Sequence, residues 1–297
     1  IIGNDMTYLY YRGRPLYPFG HGCGYTTFGY TDLELRTAAA GAAGGTAVAG
    51  ADDAVTARVT VTNTGTRPGV EVVQLYGRQR TSSVKRPLRQ LLGFQRVRLA
   101  PGEQTTVNIS FPVTALATWD VTRDRPVVEP ASHQIMIGRS ATDIVAAAPL
   151  TVLGEPIPPR AALTGRLRAA DHDGQAGTTL VAETLERGDA VAAVEPDGWV
   201  AFLHTDLGGG ATTATLRVRW VAQTQAQDTE SPRLTLRLDN PVDGPVVGTT
   251  VVPDTGDRYA WVDVPVALSG AAGVQDLYVV FSAVGTGLST LAFGAVR

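Results

Sequence analysis

Cysteine is almost absent from these 297 residues: Cys23 stands alone. A lone thiol excludes an internal disulfide and any metal cluster built from several cysteines. Lysine is as scarce, Lys85 being the single one, so arginine carries the positive charge of a chain whose net charge is −3. Charged residues make up only 18% of it, too few of one sign to face a phosphate backbone, and nucleic acid is excluded as an expected partner. Long apolar runs are missing as well. With none reaching about 18 residues, neither a membrane span nor a membrane partner is expected. The opening IIGNDMTYLY lacks the positive and apolar regions of a signal peptide. No segment of about 12 residues carries a 3.6-residue apolar stripe, so helices are not expected. The four histidines, His21, His133, His172 and His204, show no His-x-His or His-x-x-x-His spacing, and no zinc site is legible. A Gly-x-Ser-x-Gly elbow is also lacking, which removes a serine-hydrolase reading.

What is present is a 44% hydrophobic chain written in short alternating runs. ARVTVTNTG (57–65) alternates into an Asn-Thr-Gly turn, as a half-buried strand should. VEVVQLYGR (70–78) sets Val70, Val72, Gln74 and Tyr76 on one face and Glu71, Val73 and Leu75 on the other. RVRLAPGEQTTVNISF (96–111) reads as strand, Pro-Gly turn, strand, and VVEPASHQIMIGRS (127–140) as a further strand pair around a proline. Strands spaced by about 8 to 12 residues indicate an antiparallel sandwich. The low-complexity stretch 37–53 is expected to be a flexible loop. Three prolines in LGEPIPPRAAL (153–163) stiffen the backbone and remove donors, which favours a linker. Alternating strands resume beyond it. The length suits two domains of about 100 to 150 residues each.

The first of these resembles the C-terminal fibronectin type III-like domain of family 3 glycoside hydrolases. The likeness rests on PLYPFGHGCGYTTF (15–28), VTVTNTGTRPGVEVVQLY (59–76), SVKRPLRQLLGFQRVRLAPGE (83–103), LATWD (116–120) and VVEPASHQIMIG (127–138). It implies that residues 1–31 are a connector from a missing α/β catalytic-body domain, whose aromatics pack against that domain, and that 32–152 are the sandwich. Trp119 is large enough to plug the space between two sheets. The family's nucleophile, an aspartate commonly within Ser-Asp-Trp, has no counterpart here, nor has the Lys-His of its sugar pocket. Retaining hydrolysis needs two carboxyls about 5 Å apart, and the 28 acids offer no pair to nominate. No catalytic residue is assigned, and this chain is not expected to hydrolyse glycosides alone.

Residues 164–297, beyond the 153–163 linker, resemble family 6 carbohydrate-binding modules. AADHDGQAGT (169–178), PDGWVAFLHTDLG (196–208) and the stretch from LRLDNP (236–241) to QDLYVVF (275–281) carry the likeness. It implies a jelly roll that holds sugar in a loop cleft or on a concave face. The family's cleft residues fall on Ala193, Arg258 and Thr290, all different from the usual Tyr or Trp, Trp and Asn. The candidate sugar contacts are Arg258, Tyr259, Thr290 and Glu195. Strand alternation sets Tyr259 on the face of Trp261, which matches a buried family residue, so register favours Tyr259 at the edge of the core. Trp199, Trp220, Phe202 and Tyr278 are expected in the core. The family's structural calcium would need acids where Ala170 and Ala292 stand, with Arg168 close by and only Asp171 and Asp173 remaining. No metal and no cofactor is expected.

The fold expected is thus all-β, two tandem antiparallel β-sandwiches, fibronectin III-like and then jelly-roll. The function implied is a non-catalytic C-terminal accessory region of a family 3 glycoside hydrolase of β-glucosidase or β-xylosidase type. It would scaffold the catalytic domains and bind plant-type polysaccharide or oligosaccharide, secreted or at the cell surface as part of that parent. The alternative is a purely structural or oligomerisation tail with a degenerate sugar module. A free-standing adhesin-like binder fits the strands but not the connector.

Overall fold

The computed structural model describes residues 7–37, 46–82, 85–186, 188–222 and 230–295. Contacts divide the chain into two compact units, Ile1–Ile157 and Pro158–Arg297. Among the described residues regular structure is β-strand throughout, apart from 3₁₀ turns at Val113–Leu116 and Ala169–Asp171.

In the first unit β1 spans Phe28–Thr37, β2 Ala47–Gly50, β3 Ala54–Asn63, β4 Gly69–Gln79 and β5 Gln90–Leu99. There follow β6 (Gln104–Pro112), β7 (Thr118–Asp120), β8 (Arg125–Val127), β9 (Ala131–Gly138) and β10 (Ile144–Leu153). One sheet runs β1-β3-β6, the other β2-β10-β9-β4-β5, and β7 pairs with β8. Alternation explains the layering. Val55, Ala57, Val59 and Val61 of β3 are buried with Val107 and Phe111 of β6, and their core is completed by Leu75, Ile135, Ile137 and Leu150 from the second sheet. Burying each Val, Leu, Ile or Phe side chain among these contributes roughly 1.5–3 kcal/mol. Asn63 ends β3 fully buried, and its side chain organises the turn. Its Oδ1 accepts from Thr26 Oγ1 (2.8 Å) and the Gly65 amide (3.0 Å), while Nδ2 donates to the carbonyls of Arg67 (2.8 Å) and Leu99 (3.0 Å). The Pro101-Gly102 turn, with Gly102 at φ +72°, crosses between sheets, since β5 and β6 belong to different ones.

In the second unit β11 spans Arg160–Ala161, β12 Arg166–Arg168, β13 Gly174–Ala176, β14 Thr178–Ala182, β15 Asp189–Ala193 and β16 Gly198–Asp206. Then come β17 (Ala211–Arg219), β18 (Arg233–Leu238), β19 (Val246–Val251), β20 (Val262–Ala271), β21 (Val274–Phe281) and β22 (Gly287–Gly294). The sheets run β11-β16-β21-β18-β19, with β13 on β16, and β14-β15-β22-β17-β20, with β12 on β22. Phe202, Leu216, Leu236, Leu277, Phe281 and Leu291 lie in the core between them.

Several expectations are corrected. Part of the low-complexity stretch is a strand: β2 pairs parallel with β10 through Leu150 and Ala47, while 38–45 lie outside the described residues. Residues 28–31 belong to β1 rather than to a connector, and Arg160–Ala161 of the proline-rich stretch pair parallel with β16. The alternation of β4 holds in parity but not in environment. Val70 and Val72 are exposed whereas Gln74 and Tyr76 are buried, because residues before β1 return over that end of the strand. Tyr8 and Phe19 stack at 4.1 Å, Tyr8 packs on the cluster of Tyr76, Met136 and Ala141, and Gln74 Nε2 bonds the carbonyls of Gly20 and Arg139. The connector thus covers its own sandwich in part. Trp119 plugs nothing: it is 56% exposed, carried outward by the β7–β8 hairpin.

Candidate functional site

Phe202 and Trp199 are three residues apart on β16, so a regular strand turns them to opposite faces. Phe202 is buried in the core, and Trp199 lies half-buried on the outer face. The same parity on β21 sends Leu277, Val279 and Phe281 inward and Tyr278 outward. Antiparallel register sets Ala201 opposite Tyr278 and Trp199 opposite Val280, which brings the two rings edge to face at 5.4 Å and 70°. Gly174 of β13, opposite Ala201, lies beneath the Trp199 ring. Thr235 and Arg237 of β18 continue this face opposite Val280 and Tyr278. Arg237 Nη1 donates to the Gly244 carbonyl (2.7 Å). Burial first, then the charges of Asp276 and Asp239, raise the Tyr278 pKa. Two rings beside hydroxyl and guanidinium donors match the amphipathic surface of a sugar. The expectation that Trp199 and Tyr278 are core is therefore corrected, whereas Trp220 and Phe202 are core.

A second cluster forms where the loop between β19 and β20 meets the end of β17. The Trp220 carbonyl accepts from the amide and hydroxyl of Thr255, both at 2.8 Å. Asp254 Oδ1 accepts from the amides of Ala222 and Gly256, and Asp257 Oδ1 from that of Tyr259. So braced, the turn presents Arg258 over the Tyr259 ring (4.7 Å), with Nη2 donating to the phenol at 2.5 Å. Tyr259 therefore sits in a turn, not in a strand, because β20 begins only at Val262. Trp261, likewise before the strand, is half-buried rather than core. Its Nε1 donates to the Glu183 carbonyl (2.8 Å), and Arg219 lies over its ring at 5.3 Å. Glu183 Oε1 accepts from Arg217 Nε (3.2 Å) and Ser289 Oγ (2.8 Å).

Of the four candidate contacts, Arg258 and Tyr259 touch directly. Thr290 on β22 lies in register with Arg168 and with Arg217, the partner of Glu183, and no hydrogen bond joins its side chain to Arg258 or Tyr259 among the described residues. Glu195 is exposed in the turn between β15 and β16, where its backbone bonds Gly177 and Gly198, and no contact joins it to the others. Arg219, Glu183 and the Trp199–Tyr278 pair were not singled out from sequence. Parity was the available signal, since Trp199 cannot share a regular strand face with Phe202.

The residues that remain for a calcium ion do not fit one. Asp173 Oδ1 is paired with Arg160 Nη2 (2.7 Å), and its Oδ2 accepts the Leu203 amide (2.8 Å). Asp171 faces Arg168 at 3.9 Å. Calcium takes about 6 to 8 oxygens, and two acids engaged by arginines do not supply them. Among the described residues no group of three His, Cys, Asp or Glu side chains is placed to hold a metal.

The first unit carries a groove of about 720 Å³, lined by Phe19, Val70, Val72, Leu91 and Phe94 and by residues 20–24. At its margin Tyr30 donates to Glu71 Oε1 (2.5 Å), and Arg139 lies over the Tyr30 ring while bonding the Phe28 carbonyl. Burial above all raises the Glu71 pKa.

Fold and surfaces together define a tandem β-sandwich protein whose first sandwich displays an apolar groove and whose second displays aromatic rings. Comparison with known proteins agrees. Residues 71–141 match the fibronectin type III-like domain, and residues 168–293 match the carbohydrate binding module (family 6). The chain is 40% identical over 137 residues to the periplasmic beta-glucosidase of Salmonella typhimurium, covering 46% of this chain and 17% of that protein. Thermostable beta-glucosidase B of Acetivibrio thermocellus is 37% identical over 146 residues, with 48% and 18% covered. The chain thus spans under a fifth of the length of either relative. A Clostridium stercorarium family 6 module, solved in complex with cellobiose, is 26% identical with a TM-score of 0.40, covering 46% of this chain and 98% of that one. The chain consists of a fibronectin type III-like domain followed by a family 6 carbohydrate-binding module, and its first half is homologous to the C-terminal part of family 3 β-glucosidases.

Proposed function

We propose that this chain is the non-catalytic accessory region of a secreted or cell-surface family 3 glycoside hydrolase of β-glucosidase or β-xylosidase type. The first sandwich buttresses the catalytic domains and the second binds plant-type polysaccharide. The observation that carries the sugar-binding half is the half-buried Trp199–Tyr278 pair on the outer sheet face. Two large rings left outside a well-packed core cost solvation unless a ligand covers them. For the buttress, the apolar groove of the first unit is the docking face, and its occupant is the remainder of the same polypeptide. The chain accounts for only 17% of a β-glucosidase it resembles, and the rest of such an enzyme supplies the covering surface.

Affinity electrophoresis of the whole chain through gels containing xylan, β-glucan or arabinan tests the sugar reading. Retardation by at least one polymer, reduced in Trp199→Ala, is expected. Free migration in all of them would leave the structural or oligomerisation tail as the surviving account. The buttress reading predicts that the groove variant Phe94→Glu, made in the full-length parent, lowers that enzyme's melting temperature. An unchanged melting temperature would refute it.

A further inference from the structure

We propose that the loop edge of the second unit binds an acidic sugar residue, whose anionic group is received by the guanidiniums of Arg219 and Arg258 while Trp261 and Tyr259 meet its apolar face. This rests on the reading of the unit as a carbohydrate binder and names the ligand class of its loop edge.

Three arginines converge here, and their pairing differs. Arg217 is neutralised by Glu183 (3.2 Å) and faces Asp263 at 3.6 Å. Arg219 has no ion pair or hydrogen bond among the described residues, and its Nε is buried without a partner. Among the described residues Arg258 hydrogen-bonds only the Tyr259 hydroxyl. Burying a cation without an anion is costly, and a second cation nearby adds to the cost. The Arg219 pKa is accordingly lowered, first by burial and then by the charge of Arg258, with Tyr259 and Asp257 acting the other way. Asp257 offsets this field only in part, because its Oδ1 already serves the Tyr259 amide (2.6 Å).

The arrangement is held in place rather than merely crowded. A Cβ on Gly287 would stand 2.7 Å from Arg219 Cγ, 2.9 Å from its Nε and 3.0 Å from Trp261 Cη2, so the missing side chain is what lets guanidinium and indole lie together. The Trp261 ring is pinned through the Glu183 carbonyl, and the Asp254 and Asp257 turns fix the loop bearing Arg258. Planar guanidiniums suit carboxylate and sulfate oxygens, and the adjacent rings suit a pyranose face. A neutral sugar would leave both cations unpaired. An anionic one would complete them.

Calorimetric titration of the full chain tests this with four oligosaccharides: a xylo-oligosaccharide bearing glucuronate, its unsubstituted counterpart, a sulfated galacto-oligosaccharide and its desulfated form. We expect at least one acidic ligand to bind about tenfold more tightly than its neutral counterpart at low salt, the size of one charge-assisted contact. The preference should shrink as salt is raised. The glucuronate and sulfate arms show which anion is taken. Arg258→Glu, at an exposed turn, and Gly287→Ala should each abolish the preference. Affinity for neutral xylo-oligosaccharide, carried by the Trp199–Tyr278 face, reports that the variants are folded. Equal affinity for acidic and neutral members of both pairs would overturn the proposal while leaving sugar binding intact, as would a preference that survives Arg258→Glu. Binding of none of the four would overturn this proposal, and the carbohydrate reading itself would fall only if the gels also showed no retardation by xylan, β-glucan or arabinan.

Discussion

Removing the side chain of Asn63 should unfold the first sandwich at a markedly lower temperature. The residue has 0% exposure and makes four hydrogen bonds that join β1's approach, β3, the 64–67 turn and the end of β5. At roughly 1 kcal/mol net for each bond, Asn63→Ala forfeits about 4 kcal/mol. Thr26 and Gly65 lie near solvent and recover part of this from water, but the Leu99 carbonyl is buried and does not. About 3 kcal/mol is therefore expected, and for a unit of this size that lowers the midpoint by roughly 10 °C. Scanning calorimetry of the whole chain reads the shift, with hydrogen exchange in β3 peptides identifying the transition that moved. Asn63→Asp sharpens the test, because a carboxylate keeps the acceptors but cannot donate to Arg67 and Leu99. A fall of less than about 3 °C in Asn63→Ala, or wild-type stability in Asn63→Asp, would refute the reasoning.

Glu71 supplies a pH test. Its carboxyl is raised in the folded state mainly by burial, so the unfolded chain ionises first, and stability should decline as pH rises from the ordinary carboxylate range through the folded value. Glu71→Gln should flatten that slope in urea titrations at several pH values, and an unaltered slope would assign it elsewhere. Trp199→Ala should weaken neutral xylo-oligosaccharide binding about tenfold by calorimetry with little change in melting, whereas a large melting shift would return the ring to the core. Glu183→Ala should cost about 1–3 kcal/mol, because it strands the buried Ser289 hydroxyl, and it should disturb Trp261 fluorescence less than Gly287→Ala does. The chain should self-associate through its apolar groove at high concentration. Light scattering should show Phe94→Glu reducing this, and association unchanged by that substitution would place the contact elsewhere.

How far the sequence could be read depended on what decides each feature. The all-β layering was legible because alternation in ARVTVTN depends only on the period of a strand, and Val55, Ala57, Val59 and Val61 face the core as that period requires. The Asn63-Thr64-Gly65 turn was legible for a similar reason, since local side-chain chemistry defines it. Both domain families were legible in ordered motifs and match by comparison. Trp119 was misplaced because its size argues for burial, whereas its address on a short hairpin is set by the chain path. Trp199 and Tyr278 were misplaced because large rings were weighed by type. The parity that sends them outward becomes decisive only when Phe202 and Leu277 are known to point inward. The site residues divide in the same way. Arg258 and Tyr259 were named and meet in one turn. Glu195 was named and stands apart. Arg219 went unnamed because its interest lies in partners it lacks.

What the chain's residues determined unaided was periodic and local: strand after strand from alternation, turns from Asn and Gly, and, from a single cysteine, the exclusion of an internal disulfide. What only the tertiary structure decided was adjacency. Register set Ala201 against Tyr278 and so paired two rings separated by 79 positions in Trp199 and Tyr278. The glycine at 287 admitted Arg219 beside Trp261, and residues before β1 folded back over Gln74 and Tyr76. Period is a property of a segment. Contact between distant segments follows from the free energy of packing the whole chain, which no segment carries in itself.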